Sequence, residues 1–276
     1  ASSDVELIIN LTIPQAHYPV AMRVIQSGKH HYSEKPMGLN SNEVDSILAE
    51  AKKHNVQTGC APDTFMGAGI ETAKQAIENG AIGQIVSTMG YCLGRGHESW
   101  HPSPEFYYQK GGGPLMDMGP YYLSAMVYMI GNISDVKAIN KMTFESRTIT
   151  SEAKKGTIIP VEVPTHTTAL LHFESGAVGT LITSFDSYKT ILPNIVIVGT
   201  NCSIHVPDTN TFGGDVLLTN DQGESQKLEY VNPYSENSRG LGVANMVEAI
   251  ENNTHYKANG DLAAHVLKVM EKILEQ

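Results

Sequence analysis

The first eighty residues alternate between short apolar runs and segments with helical periodicity. Val5–Thr12 is an apolar run typical of a buried parallel strand. Gln15–Ser27 repeats apolar residues at helical spacing and stops at Gly28, a common helix terminator. Two further strand–helix pairs follow over residues 30–54 and 57–79. Such alternation needs crossover connections, so it predicts a parallel sheet covered by helices.

After about residue 82, closely spaced strand patterns replace the alternation. The predicted strands are Ile85–Leu93, Val136–Phe144, Thr167–Phe173, Val178–Phe185, Asn194–Val198 and Ser203–Val206, with shorter ones at Val216–Thr219 and Lys227–Val231. The predicted helices are Leu115–Ile130, Leu241–Asn252 and Leu262–Leu274, the last with Asp261 as its N-cap. Strands this close together indicate a mostly antiparallel sheet.

Charge and cysteine content limit the partners. Lys and Arg total 19 and Asp and Glu total 29, which gives a formal net charge of −10. A chain this acidic, without a basic cluster, is unsuited to binding nucleic acid. Its apolar stretches are far shorter than the roughly 20 residues that span a membrane. The 3 cysteines are scattered and odd in number, which indicates a reducing, cytoplasmic compartment.

The ends of the first two predicted strands carry polar side chains. The first strand leads into Thr12–His17 and the second into Glu34–Pro36. Ligands bind beyond the carboxyl ends of parallel strands, and proline restricts the backbone around Lys35. The Lys35 ammonium could therefore bind a substrate hydroxyl and, if desolvated, transfer a proton. The structural alternative is a solvated Lys-Pro turn.

A second candidate segment follows the glycines at 111–113. Asp117 and Tyr121 are four residues apart, so they would share one face of a helix. A carboxylate and a phenol side by side could bind and deprotonate an alcohol. Because Pro120 would remove a helical hydrogen bond, we expect the regular helix to begin near Gly119, with Asp117 in the preceding turn. The structural alternative is a packed tyrosine and a helix-capping aspartate.

A third candidate is the polar, aromatic loop that contains Arg95, His97, Trp100 and His101. Trp100 is the only tryptophan in the sequence, and an indole face beside hydrogen-bonding groups suits a sugar. The alternative is an ordinary surface loop with the indole tucked beneath it. Because no carboxylate or cysteine pattern completes a ligand set around the two histidines, we predict no metal site.

Taken together, these motifs resemble a known family. T-x-P-x-x-H, E-K-P and G-G-x-x-x-D-x-G-x-[HY] occur in the order typical of the glucose–fructose oxidoreductase, inositol dehydrogenase and rhizopine-catabolism (Gfo/Idh/MocA) family. The resemblance implies an α/β plus α+β fold. Residues 1–83 would form part of a Rossmann dinucleotide-binding domain, and residues 84–276 an open-sheet substrate and oligomerisation domain. The C-terminal helices, 241–276, would pack back towards the Rossmann part.

The resemblance also implies function: hydride transfer between NAD or NADP and a sugar or polyol, in a homo-oligomer formed through the open sheet. Lys35, Asp117 and Tyr121 would be catalytic, Tyr121 standing where many members have histidine. The nicotinamide side would be lined by Thr12, Pro14, His17, Glu34 and Lys35. Apart from the resemblance, the residue types of the aromatic loop predict that Arg95, His97, Trp100 and His101 bind the substrate.

One family feature has no counterpart in this sequence. The Gly-rich phosphate loop of the family precedes the strand that Val5–Thr12 matches. We therefore expect the complete gene product to carry roughly 70 further residues, including the one that selects NAD or NADP. The alternatives are a non-enzymatic sugar-binding or regulatory member, and a truncated remnant unable to bind cofactor. The presence of Lys35, Asp117 and Tyr121 together favours an enzyme.

Overall fold

The computed structural model describes residues 4–188 and 190–276. Its first part is a three-stranded parallel sheet made of β1 (Leu7–Asn10), β2 (His30–Ser33) and β3 (Thr58–Cys60), in that order. The helices that follow these strands are α1 (Pro14–Gln26), α2 (Ser41–Lys53) and α3 (Ala68–Glu78). This is the parallel α/β arrangement that the alternating sequence pattern predicts.

Local sequence explains where these helices begin. Pro14 lies in the first turn of α1, where its missing N–H leaves no helical bond unmade. Asn40 caps α2 because its side-chain oxygen accepts a hydrogen bond of 3.0 Å from the backbone N–H of Glu43. Both helices bury one apolar face against the sheet and its neighbours. Because β1 and β2 pair in parallel, their carboxyl ends lie side by side.

The second part is an eight-stranded sheet. Its strands are β4 (Ile85–Leu93), β5 (Ile133–Lys141), β8 (His166–Phe173), β9 (Val178–Ser184), β10 (Ile195–Gly199), β11 (Ser203–Val206), β12 (Leu217–Thr219) and β13 (Ser225–Lys227). They run in the order β13-β12-β11-β10-β4-β9-β8-β5, with every pair antiparallel except β4 and β9. The prediction of a mostly antiparallel second sheet is confirmed. A separate hairpin of β6 (Ser146–Thr148) and β7 (Ile158–Pro160) was not predicted.

One face of the large sheet packs against helix α4 (Pro114–Ile130). Strands β8 and β9 accordingly alternate between buried and more exposed side chains, the pattern of a sheet covered on one side. On the opposite face, large apolar side chains remain exposed in the chain by itself. They are Val86, Ile139, Leu170 and Val178.

The last two helices, α5 (Leu241–Asn252) and α6 (Gly260–Leu274), return to the first part of the chain. The backbone N–H of Ser41 donates to Glu271 at 3.0 Å, and Lys268 pairs with Asp45 at 2.6 Å. Because α6 also packs on α4, it holds the two parts together.

Several sequence predictions about element boundaries are wrong. The strand predicted at Val136–Phe144 runs from Ile133 to Lys141. Helix α4 begins at Pro114 rather than near Gly119: the backbone N–H of Asp117 already donates to the carbonyl of Gly113 at 3.0 Å. The helix therefore tolerates the loss of the hydrogen bond that Pro120 cannot make. Most side chains of α4 are buried. Asp117 consequently lies in the first helical turn, and its side chain has a defined direction.

Two further errors lie towards the C-terminus. Helix α6 is capped by Asn259, whose side chain accepts from the N–H of Leu262 at 2.9 Å, and not by Asp261. The last strand is Ser225–Lys227 rather than Lys227–Val231. A tight turn in which Asn220 accepts backbone hydrogen bonds sets this earlier pairing with β12.

Within the residues described, no helix is long and apolar enough to cross a membrane.

The buried His31 on β2 makes the stability of the first part sensitive to acid. Burial first, and the neighbouring His17 second, lower the pKa of His31 from 6.5 to about 4. The unfolded chain binds more protons between these two values, so the free energy of unfolding is fully retained above pH 6.5 and falls as pH drops towards 4. We expect this group to account for a loss of up to about 3 kcal/mol.

Urea denaturation at about pH 7 and about pH 4.5 measures this loss. The His31→Gln variant should show a smaller difference between the two pH values than the wild type. His255→Gln, at an exposed position, is the matched control and should keep the wild-type difference. An unchanged pH dependence in His31→Gln would contradict the assignment.

Candidate active site

Lys35 and Asp117 meet where the two parts of the chain join. Lys35 follows β2, and its Nζ lies 3.1 Å from Asp117 Oδ1 and 2.6 Å from the backbone carbonyl oxygen of Asp117. The two side chains are only 18% and 17% exposed, so solvent screens their attraction less than it would on the surface. The lysine at the strand end and the carboxylate at the helix start therefore form one polar cluster.

Tyr121 lies one helical turn after Asp117, on the same side of α4. The Lys35 ammonium is 5.4 Å from the centroid of its ring, within the range of a cation–π contact. The structure thus brings together the three side chains that the sequence analysis predicts as catalytic.

His97 makes the second contact with the Asp117 carboxylate. Its Nε2 lies 3.4 Å from Asp117 Oδ2, on the oxygen that Lys35 does not bind. The imidazole stacks on Tyr107 with centroids 3.7 Å apart and an angle of 11° between the planes. Its buried Nδ1 has no hydrogen-bond partner among the described residues. The sequence predicts His97 as a sugar ligand; the structure places it beside the catalytic candidates.

The environment of Asp117 keeps its carboxyl ionised. Burial acts to raise the pKa of Asp117, but the hydrogen bond from His97 and the charge and hydrogen bond of Lys35 outweigh burial and lower it. Asp117 is therefore a carboxylate near neutral pH. It is suited to orienting the two donors around it, and not to giving up a proton.

Tyr107 is a site residue that the sequence analysis missed. Besides stacking on His97, it lies close enough to Asp117 and Tyr121 for their charges to affect its own titration. Burial, followed by the Asp117 charge, raises the pKa of Tyr107 to about 12, so its phenol stays protonated. It lies in a short 3-10 turn, Glu105–Tyr108, without the periodicity that would have drawn attention to it.

The other predicted substrate ligands lie in the same loop as His97. Trp100 is 63% exposed, so the indole is not tucked beneath the loop, and its ring centroid is 5.2 Å from that of His97. The ring of His101 accepts a 3.0 Å hydrogen bond from the N–H of Ser103. Arg95 is exposed and lies over the ring of Tyr188 at 4.7 Å.

A buried ion network anchors this loop, and the sequence analysis missed it. Arg147, on β6, donates to Glu98 Oε1 at 2.8 Å and to the carbonyl of Phe185 at 3.0 Å, and it also contacts the Asp186 carboxylate. The side chains of Arg147, Glu98 and Asp186 are 6%, 13% and 8% exposed. The hydroxyl of Tyr108 donates to the second oxygen of Glu98. Because Glu98 follows His97 directly, the network fixes the backbone that carries this imidazole.

The residues predicted to line the nicotinamide side divide into two groups. Thr12 is exposed and Pro14 and Glu34 are half-buried, all at the carboxyl ends of β1 and β2. His17 is fully buried: its two ring nitrogens lie 2.9 Å from the carbonyl oxygen of Thr12 and 2.6 Å from that of Pro36. His17 therefore ties the two strand-end loops together from beneath.

Among residues 4–188 and 190–276, no three His, Cys, Asp or Glu side chains are placed to hold a metal ion. Cys60, Cys92 and Cys202 are all free thiols.

Comparison with known proteins identifies the family. Residues 1–61 match the family described as "Oxidoreductase family, NAD-binding Rossmann fold", and residues 70–205 match the "GFO/IDH/MocA C-terminal domain". The chain belongs to the Gfo/Idh/MocA family.

Individual relatives agree with this membership. The chain is 26% identical over 197 residues to levoglucosan dehydrogenase of Pseudarthrobacter phenanthrenivorans, covering 64% of this chain and 49% of the relative. It is 24% identical over 222 residues to myo-inositol 2-dehydrogenase of Thermotoga maritima, covering 80% and 61%. It thus spans about half the length of these curated relatives. Its fold matches a solved levoglucosan dehydrogenase complex with NADH and L-sorbose, with a TM-score of 0.82 and 21% identity over 99% of this chain and 78% of that one.

Proposed function

We propose that this chain carries the reaction centre of an NAD(P)-dependent dehydrogenase that interconverts a hydroxyl and a ketone on a sugar or polyol. The observation that carries the proposal is the single cluster of ammonium, ionised carboxylate, phenol and imidazole formed by Lys35, Asp117, Tyr121 and His97. Family membership supports the reaction type, and the levoglucosan and myo-inositol dehydrogenases support the substrate class.

The carboxyl edge of the small sheet fits a nicotinamide. Leu11 and Ile13 are largely exposed on either side of Thr12, and they offer uncovered apolar surface of the kind that a flat ring covers. Thr12, Pro14, Glu34 and Lys35 would line this surface, while His17 holds its loops in place. When bound, the nicotinamide supplies the hydride acceptor of the oxidation.

The side chains of this chain would handle the substrate oxygen and its proton. The Tyr121 side chain, reacting as the phenolate, accepts the hydroxyl proton as general base and becomes the phenol. The positive charge of Lys35, which lies over the face of the Tyr121 ring, attracts the substrate oxygen. Asp117 holds Lys35 on one carboxylate oxygen and His97 on the other, so both donors are pre-positioned before substrate arrives.

The setting of the enzyme is part of the proposal. Three free thiols suit the reducing cytoplasm. One face of the large sheet exposes apolar side chains, of which Ile139 and Leu170 are the most exposed. This face suits a homo-oligomer in which a second copy covers it.

The proposed function is tested with protein expressed from the complete gene. We expect NADH or NADPH to form with at least one member of a panel of sugars and polyols. Cofactor binding without turnover on any of them would instead favour the regulatory alternative.

Replacing the proposed general base should remove chemistry and spare binding. We expect Tyr121→Phe to lower kcat about a hundredfold, because the substrate proton loses its acceptor, with KM changed little. Steady-state kinetics measure both constants. Tyr234→Phe, at a half-exposed tyrosine before α5, is the matched control and should retain wild-type turnover. Full activity in Tyr121→Phe would remove this residue from the mechanism.

A further inference from the structure

The loop after β4 presents two aromatic rings to solvent. Trp100 is 63% exposed and Phe106 is 53% exposed. The His101 ring lies between them, with its centroid 5.4 Å from that of Trp100 and 5.5 Å from that of Phe106, edge-on to both. We call Trp100, His101 and Phe106 the aromatic platform. Exposed apolar surface gathered in one place marks a binding site more often than scattered residues do.

The platform is continuous with the candidate active site. Phe106 packs on Tyr107 at 4.0 Å between centroids, and Tyr107 stacks on His97 at 3.7 Å. Trp100 contacts the same imidazole at 5.2 Å. Because His97 touches the Asp117 carboxylate, one ring separates the platform from the proposed reaction centre.

The platform is also held rigidly from below. Arg147 donates a hydrogen bond to the Glu98 side chain. The backbone carbonyl of Glu98 accepts hydrogen bonds from the N–H groups of Thr150 and Ser151 at 2.9 and 3.0 Å. The hydroxyl of Ser151 donates to the carbonyl of His101 at 2.8 Å. These hydrogen bonds hold the loop with both rings exposed. A ligand that binds the rings therefore loses little free energy in ordering the loop.

We propose that the aromatic platform is a second sugar subsite, so that the substrate is a disaccharide or another glycoside rather than a free monosaccharide. The reacting ring would lie at Lys35, Asp117 and Tyr121, and the second ring would stack its apolar C–H face on Trp100 and Phe106. The exposed Ser99 and Ser103 beside them suit the hydroxyl rim of that ring. This inference rests on the proposed function and names its substrate class.

A surface of two rings matches a sugar better than a protein partner. Specific protein interfaces bury on the order of 1,200 Å² or more, whereas the large exposed rings of the platform are only those of Trp100 and Phe106.

Trp100 makes the proposal directly measurable, because it is the only tryptophan in the chain. Its fluorescence is followed while the protein is titrated with glucose, cellobiose and maltose, and with galactose and lactose. We expect at least one disaccharide to change the emission with a Kd about tenfold below that of its own monosaccharide. The inference is overturned if no disaccharide binds better than its monosaccharide, or if the emission depends on protein concentration and not on sugar.

Phe106→Ala supplies the variant test, since it keeps the reporter. We expect it to weaken binding of that disaccharide about tenfold, with monosaccharide binding within about twofold of wild type. Tyr234→Ala, at another partly exposed aromatic residue, is the control and should change neither. An equal loss for both sugars would place the reacting ring on the platform and overturn the second subsite. A wild type that binds disaccharide in this assay but never reduces NAD(P) would refute the dehydrogenase proposal and leave the subsite standing.

Discussion

Substituting Lys35 with methionine is expected to lower kcat by a factor on the order of 10² to 10⁴. Methionine keeps much of the apolar length of the side chain but removes the ammonium. Two effects then act together. The substrate oxygen and the Tyr121 phenol lose the positive charge beside them, and the largely buried Asp117 loses its ion pair. Because Lys35 is one of the groups that lower the pKa of Asp117, that pKa should rise in the variant.

Steady-state kinetics of the protein expressed from the complete gene measure this effect. The control is Lys53→Met, at a lysine on α2 whose side chain is 70% exposed and whose only described ion pair is with Glu50; its turnover should match the wild type. A loss below tenfold in Lys35→Met would mean that Lys35 has no direct part in the reaction. Thermal unfolding of both variants shows whether any loss comes from misfolding.

Substituting Arg147 with methionine is expected to lower the free energy of unfolding by about 3 to 5 kcal/mol. The guanidinium is almost completely buried and neutralises two buried carboxylates, Glu98 and Asp186. Without it, both carboxylates must stay desolvated next to each other without a cation. Removing the guanidinium also releases the backbone of the loop that carries His97 and the aromatic platform. The KM for a glycoside should therefore rise in the same variant.

Urea denaturation measures the change in the free energy of unfolding. Three further variants test whether that change comes from the buried ion network. Arg147→Lys should recover only part of the stability, because an ammonium cannot reproduce the forked contacts of a guanidinium. Adding Glu98→Gln to Arg147→Met should restore part of the loss by removing one unpaired charge. Lys154→Met, which breaks a partly exposed pair with Glu105, should cost below about 1 kcal/mol. A cost this small for Arg147→Met would show that the network does not stabilise the fold.

Much of the architecture could be predicted from local pattern. The predicted strands Ile85–Leu93 and Ser203–Val206 and the predicted helix Leu241–Asn252 have the same bounds in the structure. The fold class and the family are confirmed as well. These features depend on periodicity and on motif order, and both can be read along a single chain.

Where two local preferences competed, the packing of the whole chain decided between them. Pro120 argues for a late start to α4, yet the burial of that helix between the large sheet and α6 holds it together from Pro114 onwards. The hairpin of β6 and β7 has three-residue strands, too short for alternation to be recognised. Its importance comes from Arg147, whose partners Glu98 and Asp186 are 49 and 39 positions away.

The sequence by itself determined which chemical groups this protein has and roughly where they stand along strands and helices: an E-K-P lysine, a helical Asp-Tyr pair and an aromatic loop. Only the tertiary structure decided which of them meet. Lys35 and Asp117 are 82 residues apart, and His97 reaches the same carboxylate from a third element. Contacts of this kind arise from the burial of two sheets against shared helices, and no local pattern encodes which distant side chains that burial brings within a few ångströms of each other.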